Sequence, residues 1–498
     1  MTTTSPSPTR LDIECPHLTE VFVAGEWVTP ASSATLDVVM PSTGDTVATV
    51  ALPGRAEADA AVAAARSAFD EGPWPRMSVE ERAEVCSRFA DELESRMDQM
   101  NRLWAFESGF PISHGEMINS GAGKMIWRYA IGRAPELPWE ERRTAAGSDV
   151  LLTREPIGTV LAIMTYNGPV VELGMKIIPG LLAGCPIVLK PAPDSQLTTR
   201  VVADAAAAAG FPRGVVSVLA ADLETSQYLV SHDDIDMVHM TGGGPVAVDI
   251  VSRTSARLAR TALELGGKSP AIILDDAKLE DVLPTLVPGG IGGVGQVCVS
   301  LSRVLVSRAR YEEVVAALVE EFAKYPVGDP FDPTTILGPL GNERALHRVE
   351  SMLERAVQDG AKVVAGGRRP PEFDGKGFYF EPTLLRDVDQ DSYIAQEEVF
   401  GPIISVIAYD DVEDAIAIAN NTRFGLAASV YSSDSDAALA VARRIRSGGV
   451  AINLAGVCLT EPFGGVRQSG WGRECGAEGI LEFTDIKQIL LSGSYVDA

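Results

Sequence analysis

The chain is poor in the residues that build metal centres, covalent frameworks and polyanion-binding faces, and each shortage closes off a class of function. Its 498 residues include five histidines, His17, His114, His232, His239 and His347. None stands at metal-ligand spacing from another, so no metal site and no zinc chemistry is expected. The six cysteines, Cys15, Cys86, Cys185, Cys298, Cys458 and Cys475, form no dense framework, and the start MTTTSPSPTR has no apolar signal core. A reducing, cytoplasmic setting is therefore expected. Basic residues are in deficit as well: 42 Lys and Arg against 68 Asp and Glu leave a net charge of −26. Phosphate contacts need a basic face, so no nucleic-acid partner is expected. The longest uncharged stretch, Val282–Ser302, has 21 residues, but five are glycine and two are proline. A lipid-facing helix would carry Leu, Ile and Val there, so no membrane span is expected.

What is present is ordinary globular material, 46% hydrophobic and 22% charged. The length suggests roughly two to four domains. Ser78-Val79-Glu80-Glu81 has the pattern of a capping box and predicts a helix running to about Met100. From residue 157 onward, short β-rich runs (Gly158–Thr165, Pro186–Leu189, Val215–Leu219, Ile235–Met240, Ala271–Leu274) alternate with helical patterns around Val170–Leu182, Ser195–Ala209 and Val246–Ala259. That alternation predicts parallel βαβ units, whose ligands sit beyond the carboxyl ends of the strands. It resumes with Val304–Ser307, Ile403–Tyr409 and Val450–Asn453, predicting a second α/β domain.

Several segments carry chemistry. Thr241-Gly242-Gly243-Gly244 follows a predicted strand and opens a helix. Such a turn can aim backbone N–H groups at a phosphate, or it can simply be a tight βα connection. Glu264-Leu265-Gly266-Gly267-Lys268-Ser269-Pro270 precedes Cys298, which ends the glycine-rich stretch. A lone cysteine is usually inert and a carboxylate beside glycines is usually a turn residue. The balance changes when Thr165-Tyr166-Asn167-Gly168-Pro169 and Glu397-Glu398-Val399-Phe400-Gly401-Pro402 stand in the same chain.

Together with Arg154-Glu155-Pro156-Ile157-Gly158, Lys190-Pro191-Ala192-Pro193, Pro462-Phe463-Gly464-Gly465 and Ser469–Glu474, these segments stand in the order found in the aldehyde dehydrogenase superfamily, which the chain resembles over nearly its whole length. The resemblance implies a Rossmann-like parallel-sheet cofactor domain (1–130 and 152–263), an α/β catalytic domain (264–466) and a small β oligomerisation element (131–151 and 480–498). It implies Cys298 as nucleophile, Glu264 as general base for thioester hydrolysis, and Asn167 with the Cys298 N–H as oxyanion donors. Lys176 and Glu474 would relay protons. For the cofactor it implies Lys190 and Glu398 on the two riboses, Phe400 against the nicotinamide, and Thr241, Gly242, Gly243 and Gly267 lining the site. NAD is the expected cofactor. NADP stays open, because Pro193 stands where many relatives carry a ribose-binding glutamate, with Asp194 adjacent.

The pocket departs from many relatives. Gly168, Gly292 and Val457 stand where aromatic rings are common, Val297 and Val299 flank the cysteine, and Phe463 is kept. Each lost ring frees a large volume. The expected result is a wide aliphatic mouth for a bulky or long-chain hydrophobic aldehyde, unless neighbouring side chains refill it. Glu172, one helical turn past Gly168, either meets a cationic or hydroxylated substrate or faces solvent at a helix start; the solvent position is the expectation. The alternatives are a relative that passes its thioester to coenzyme A, which commonly lacks the glutamate at Glu264, and a non-catalytic protein on the same fold. The resemblance also implies a homodimer or homotetramer.

Overall fold

A computed structural model describes residues 14–145 and 148–491. The polar start MTTTSPSPTR and the end of the C-terminal tail therefore lie outside the described residues. Two extended sheets organise the chain. In the first, the strand order is Gly470–Trp471, Arg260–Glu264, Met237–Thr241, Val160–Ile163, Ile187–Lys190, Val216–Val218, Val21–Val23 and Glu26–Val28. Its five central strands are parallel and the flanking ones antiparallel. In the second, the order is Lys362–Ala365, Thr383–Arg386, Ile403–Tyr409, Arg303–Ser307, Pro270–Ile273, Ala427–Tyr431 and Gly449–Ile452, all parallel except the first. A third sheet pairs Glu140–Ala145, Ser148–Pro156 and Thr484–Leu491. The α/β class with parallel sheets is as the alternation implied. Among the described residues no helix is long and apolar enough to cross a membrane.

Local chemistry explains most elements. The helix Val79–Ser95 starts at the expected box, with Ser78 accepting from the Glu81 N–H and Glu81 reaching back to the Ser78 N–H. The region around Val170–Leu182 is more broken than a plain helix. A widened π turn, Leu173–Ile177, precedes the regular helix Ile178–Ala183. Pro179 lacks an N–H and cannot continue the ladder behind it, so the hydrogen-bond register shifts before the helix resumes.

The uncharged stretch forms the helix Leu279–Ile291 and a tight turn, Gly292–Gly295. Gly293, Val294 and Gly295 all have positive φ. A Cβ on Gly295 would stand 2.1 Å from the Gly401 carbonyl oxygen. Glycine therefore lets the loop before Cys298 lie directly on the loop that carries Glu398 and Phe400.

Candidate active site

The functional side chains project from the carboxyl ends of the first sheet and from loops of the second. Glu264 ends the strand Arg260–Glu264 and sits in register with Thr241 on the parallel neighbour. It is only 3% exposed, and neither carboxylate oxygen has a hydrogen-bond partner among the described residues. Burial, followed by the charge of Glu474, raises its pKa well above the usual carboxylate range, against the pull of Lys176 and Arg473. Gly464, with φ of +153°, makes room for it: a Cβ there would lie 2.6 Å from Glu264 Oε1. An uncoordinated buried carboxyl with a raised pKa is suited to taking a proton.

Cys298 is half-buried among Val299, Val457, Leu459, Ile118, Val171, Met175 and Phe463. Burial and four carboxylates, Glu398, Glu264, Glu172 and Glu474, all push its thiol pKa up. The resting thiol is therefore neutral, and a nucleophilic thiolate here requires a base to receive the proton. Behind it, Gln296 Oε1 accepts from the Tyr166 hydroxyl at 2.8 Å and from the Gly341 N–H at 3.0 Å. The Tyr166 ring meets Phe400 edge-on at 6.3 Å. Phe400 itself is held at φ of 55°, an uncommon conformation for a bulky residue.

Lys176 is fully buried. Its ammonium donates to Glu474 Oε1 and to Thr241 Oγ1, and lies 3.7 Å from Glu172 Oε2. The attraction of Glu474 and Glu172 outweighs burial and raises its pKa. His239, stacked on Phe483, adds a ring nitrogen 3.6 Å from Glu474 Oε1, and burial lowers its pKa well below the ordinary value. Glu172 corrects the solvent expectation. It is 5% exposed and accepts the Thr165 N–H at 3.2 and 3.3 Å, with the Thr165 hydroxyl against Oε1. The chain turns back through Tyr166–Gly168 between strand and helix, which brings residue 165 over residue 172. A carboxylate beside Lys176 and a free backbone N–H is better satisfied inside than at a helix start.

The residues expected at a dinucleotide fit that ligand. The helix Gly244–Thr254 starts without a side-chain cap, and space is open around Gly243 and Gly244, so its first N–H groups are available to a phosphate. Glu398 accepts the Gly267 N–H at 3.2 Å, and burial brings its carboxyl up to about 7. A Cβ on Gly266 would collide with that carboxylate, 2.1 Å from Oε2. Burial lowers Lys190 to about 8, against the pull of Asp194. Asp194 accepts from Asn342 Nδ2 at 3.2 Å, and Pro193 is exposed.

On the side of the mouth, a cavity of about 440 Å³ is lined by Val457, Cys458, Pro462, Phe463 and Gly464, with the Gly448–Ala451 segment opposite. Nothing lies within 4 Å of a Cβ built on Gly292, and Gly168 meets only Val171 at 3.9 Å. A side chain's first carbon would thus be accommodated at both points. Gly293 is different: Phe110 and Val297 pack within 3.2 Å of its Cβ position. Sequence reasoning missed Val171, Met175, Ile118 and Leu459 as pocket walls. Val171 and Met175 follow Gly168 by three and seven residues, so helical spacing from Asn167 could have found them. Nothing local could have found Ile118 or Leu459.

The sequence model of the Aldehyde dehydrogenase family matches residues 27–489. Geranial dehydrogenase of Castellaniella defragrans is 38% identical, covering 95% of this chain and 98% of that one. Aldehyde dehydrogenase 1 of Tanacetum cinerariifolium is 36% identical over 95% and 94%. Among solved structures, a Mycobacterium tuberculosis aldehyde dehydrogenase complexed with NAD+ superposes with a TM-score of 0.94 at 41% identity, covering 97% and 100% of the two chains. A variant of aldehyde dehydrogenase C from Pseudomonas syringae, complexed with NAD+ and octanal, gives 0.92 at 35% identity over 96% and 97%. With the family match over residues 27–489, and with an unpartnered glutamate, a half-buried cysteine and a lysine–glutamate pair in one site, the chain belongs to the aldehyde dehydrogenase family.

Proposed function

We propose that the protein oxidises a bulky or long-chain hydrophobic aldehyde to its carboxylic acid with NAD, through a covalent Cys298 intermediate. The observation that carries this reading is the buried Glu264, whose carboxylate has no hydrogen-bond partner among the described residues and whose pKa is raised. A carboxyl placed in that way is a proton acceptor in waiting. Cys298 attacks the aldehyde carbon, and the oxyanion is met by the Asn167 amide and the Cys298 N–H, each such donor being worth about 2.7–4 kcal/mol of barrier. NAD, once held in its site, would supply the hydride acceptor for oxidation at the Cys298-bound carbon, leaving a Cys298 thioester. Glu264 then removes the proton from the hydrolytic water, and Lys176 with Glu474 passes it on. Lys190 and Glu398 hold the riboses, the Thr241–Gly244 turn receives the pyrophosphate, Gly267 fixes Glu398, and Phe400 backs the nicotinamide.

The substrate class is supported by the aliphatic walls, by the open space at Gly292 and Gly168, and by relatives named for geranial and crystallised with octanal. We also infer the division into a cofactor domain (1–130 and 152–263), a catalytic domain (264–466) and an oligomerisation element (131–151 and 480–498). The edge strand Thr484–Leu491, with Ile486 and Leu490 exposed, supports homo-oligomer formation as a dimer or tetramer. A panel of aldehydes with NAD, followed by NADH absorbance, tests the reading. Catalytic efficiency is expected to rise from acetaldehyde to octanal and geranial. A steady fall with chain length, acetaldehyde being best, would remove the substrate class, and strict dependence on coenzyme A would replace hydrolysis by acyl transfer.

A further inference from the structure

Three oxygen atoms, on Thr165, Asn167 and Glu172, are short of one proton when Glu172 is ionised and the Asn167 amide is oriented as found. Thr165 Oγ1 lies 2.6 Å from Asn167 Oδ1 and is also in hydrogen-bond contact with Glu172 Oε1. Both of its neighbours are acceptors, and a threonine hydroxyl has one hydrogen. With the Asn167 amide in this orientation, one of the two contacts needs a proton from elsewhere, and Glu172 is the group that can carry it.

We propose that Glu172 is a positioning residue which, by holding a proton, orients the Asn167 amide toward the substrate oxygen. With Glu172 neutral, its O–H donates to Thr165 Oγ1 and the Thr165 hydroxyl donates to Asn167 Oδ1. The amide is then fixed with Nδ2 turned away from Thr165 and free to donate to the oxyanion. With Glu172 ionised, the charged oxygen draws the Thr165 hydrogen to itself. Asn167 Oδ1 then faces only lone pairs at 2.6 Å, and the favoured response is rotation of the amide, which sends Nδ2 to Thr165 and turns Oδ1 toward the pocket. In that state the site presents an acceptor where a donor is needed.

The surrounding charges are consistent with the proton. Glu172 is buried, and three buried carboxyls, Glu172, Glu264 and Glu474, face the ammonium of Lys176, with the Arg473 guanidinium acting on Glu264 as well. Lys176 gives its hydrogen bond to Glu474 and stands 3.7 Å from Glu172. The Cys298 and Cys475 thiols and the His239 ring also face this cluster. Burial, with Glu474, raises the Glu172 carboxyl to about 7, while Lys176 and the Thr165 donors oppose the rise.

This inference rests on Asn167 acting as the oxyanion donor, as in the function proposed above. The test is the pH profile of kcat on the intact enzyme with a saturating aldehyde and NAD, for the parent, Glu172→Gln, Thr165→Val and Asn167→Ala. The parent is expected to lose kcat as pH rises through the Glu172 titration. Glu172→Gln, whose amide donates to Thr165 at every pH, is expected to keep kcat within roughly 3-fold of the parent at its best and to lose that falling limb. Thr165→Val is expected to fall roughly 10-fold without the limb, short of the ~10²–10³-fold loss expected for deleting the donor in Asn167→Ala. The infrared spectrum of the parent is expected to show a protonated carboxyl band that Glu172→Gln lacks, a readout independent of turnover. A parent profile with no such limb, the same limb retained in Glu172→Gln, or the absence of the carboxyl band overturns the inference. Full activity in Asn167→Ala would instead overturn the oxyanion assignment beneath it.

Discussion

Glu264 and Glu172 show how far single residues can be understood from their neighbours in sequence. Glu264 stood out in the sequence only through the order of motifs around it, since a carboxylate beside paired glycines is by itself usually a turn residue. Its environment adds what the motif does not contain: burial, two unpartnered oxygens and a space kept clear by Gly464. On the proposed mechanism, replacing it removes the water-activating base while leaving the cysteine and the hydride-transfer geometry in place. Glu264→Gln is expected to lower steady-state turnover by ~10²–10⁴-fold while retaining a first-turnover burst of NADH, measured by stopped-flow absorbance. Loss of the burst together with turnover would place Glu264 ahead of the thioester rather than after it. Glu172 was misread because helix position was the only local guide. Its partners, Thr165 and Lys176, are separated from it by a strand-to-helix turn on one side and a widened helical turn on the other. A sequence pattern does not carry the register shift that brings those three together.

At the level of elements, alternation located the parallel strands well where they were short, apolar and flanked by helices. It missed Arg260–Glu264, Thr383–Arg386 and Ala427–Tyr431. The first reads Arg-Thr-Ala-Leu-Glu, with polar ends, and its strand character comes from pairing with Met237–Thr241 rather than from its own composition. The strand Arg303–Ser307 carries a feature no periodicity reveals. Arg303 is fully buried without a carboxylate partner and donates instead to the carbonyls of Lys268, Ile418 and Ala419 at 2.8–2.9 Å. It ties the strand behind the Cys298 loop to the segment following Glu264. Arg303→Met leaves the Lys268 and Ala419 carbonyls without that donor, while Ile418 keeps the Asn421 N–H, at about 1–3 kcal/mol for each group left unsatisfied. The expected outcome is a thermal midpoint lower by several degrees in a calorimetric scan, with NAD affinity reduced through displacement of Gly267 and Glu398. An unchanged midpoint would mean that water enters and replaces the guanidinium.

For the whole molecule, the shortages in composition constrain the function more than the abundances do. The missing basic face is consistent with a small-molecule substrate, and the glycines of the uncharged stretch let the loop carrying Cys298 press against the Glu398 loop. The site draws Glu264, Thr241 and Lys176 from the first sheet and its connections, and Cys298, Glu398 and Phe400 from loops of the second. The order of motifs made that partnership visible in sequence. The walls of the mouth were only partly visible, because Ile118 and Leu459 come from segments far apart in the chain and carry no motif. The central claim is a covalent route through Cys298. Its most direct measurement is rapid mixing of stoichiometric enzyme with NAD and octanal, followed by NADH absorbance in the first turnover. The parent is expected to release about one NADH per active site in a burst and Cys298→Ala none; a burst of equal size in Cys298→Ala would contradict the account.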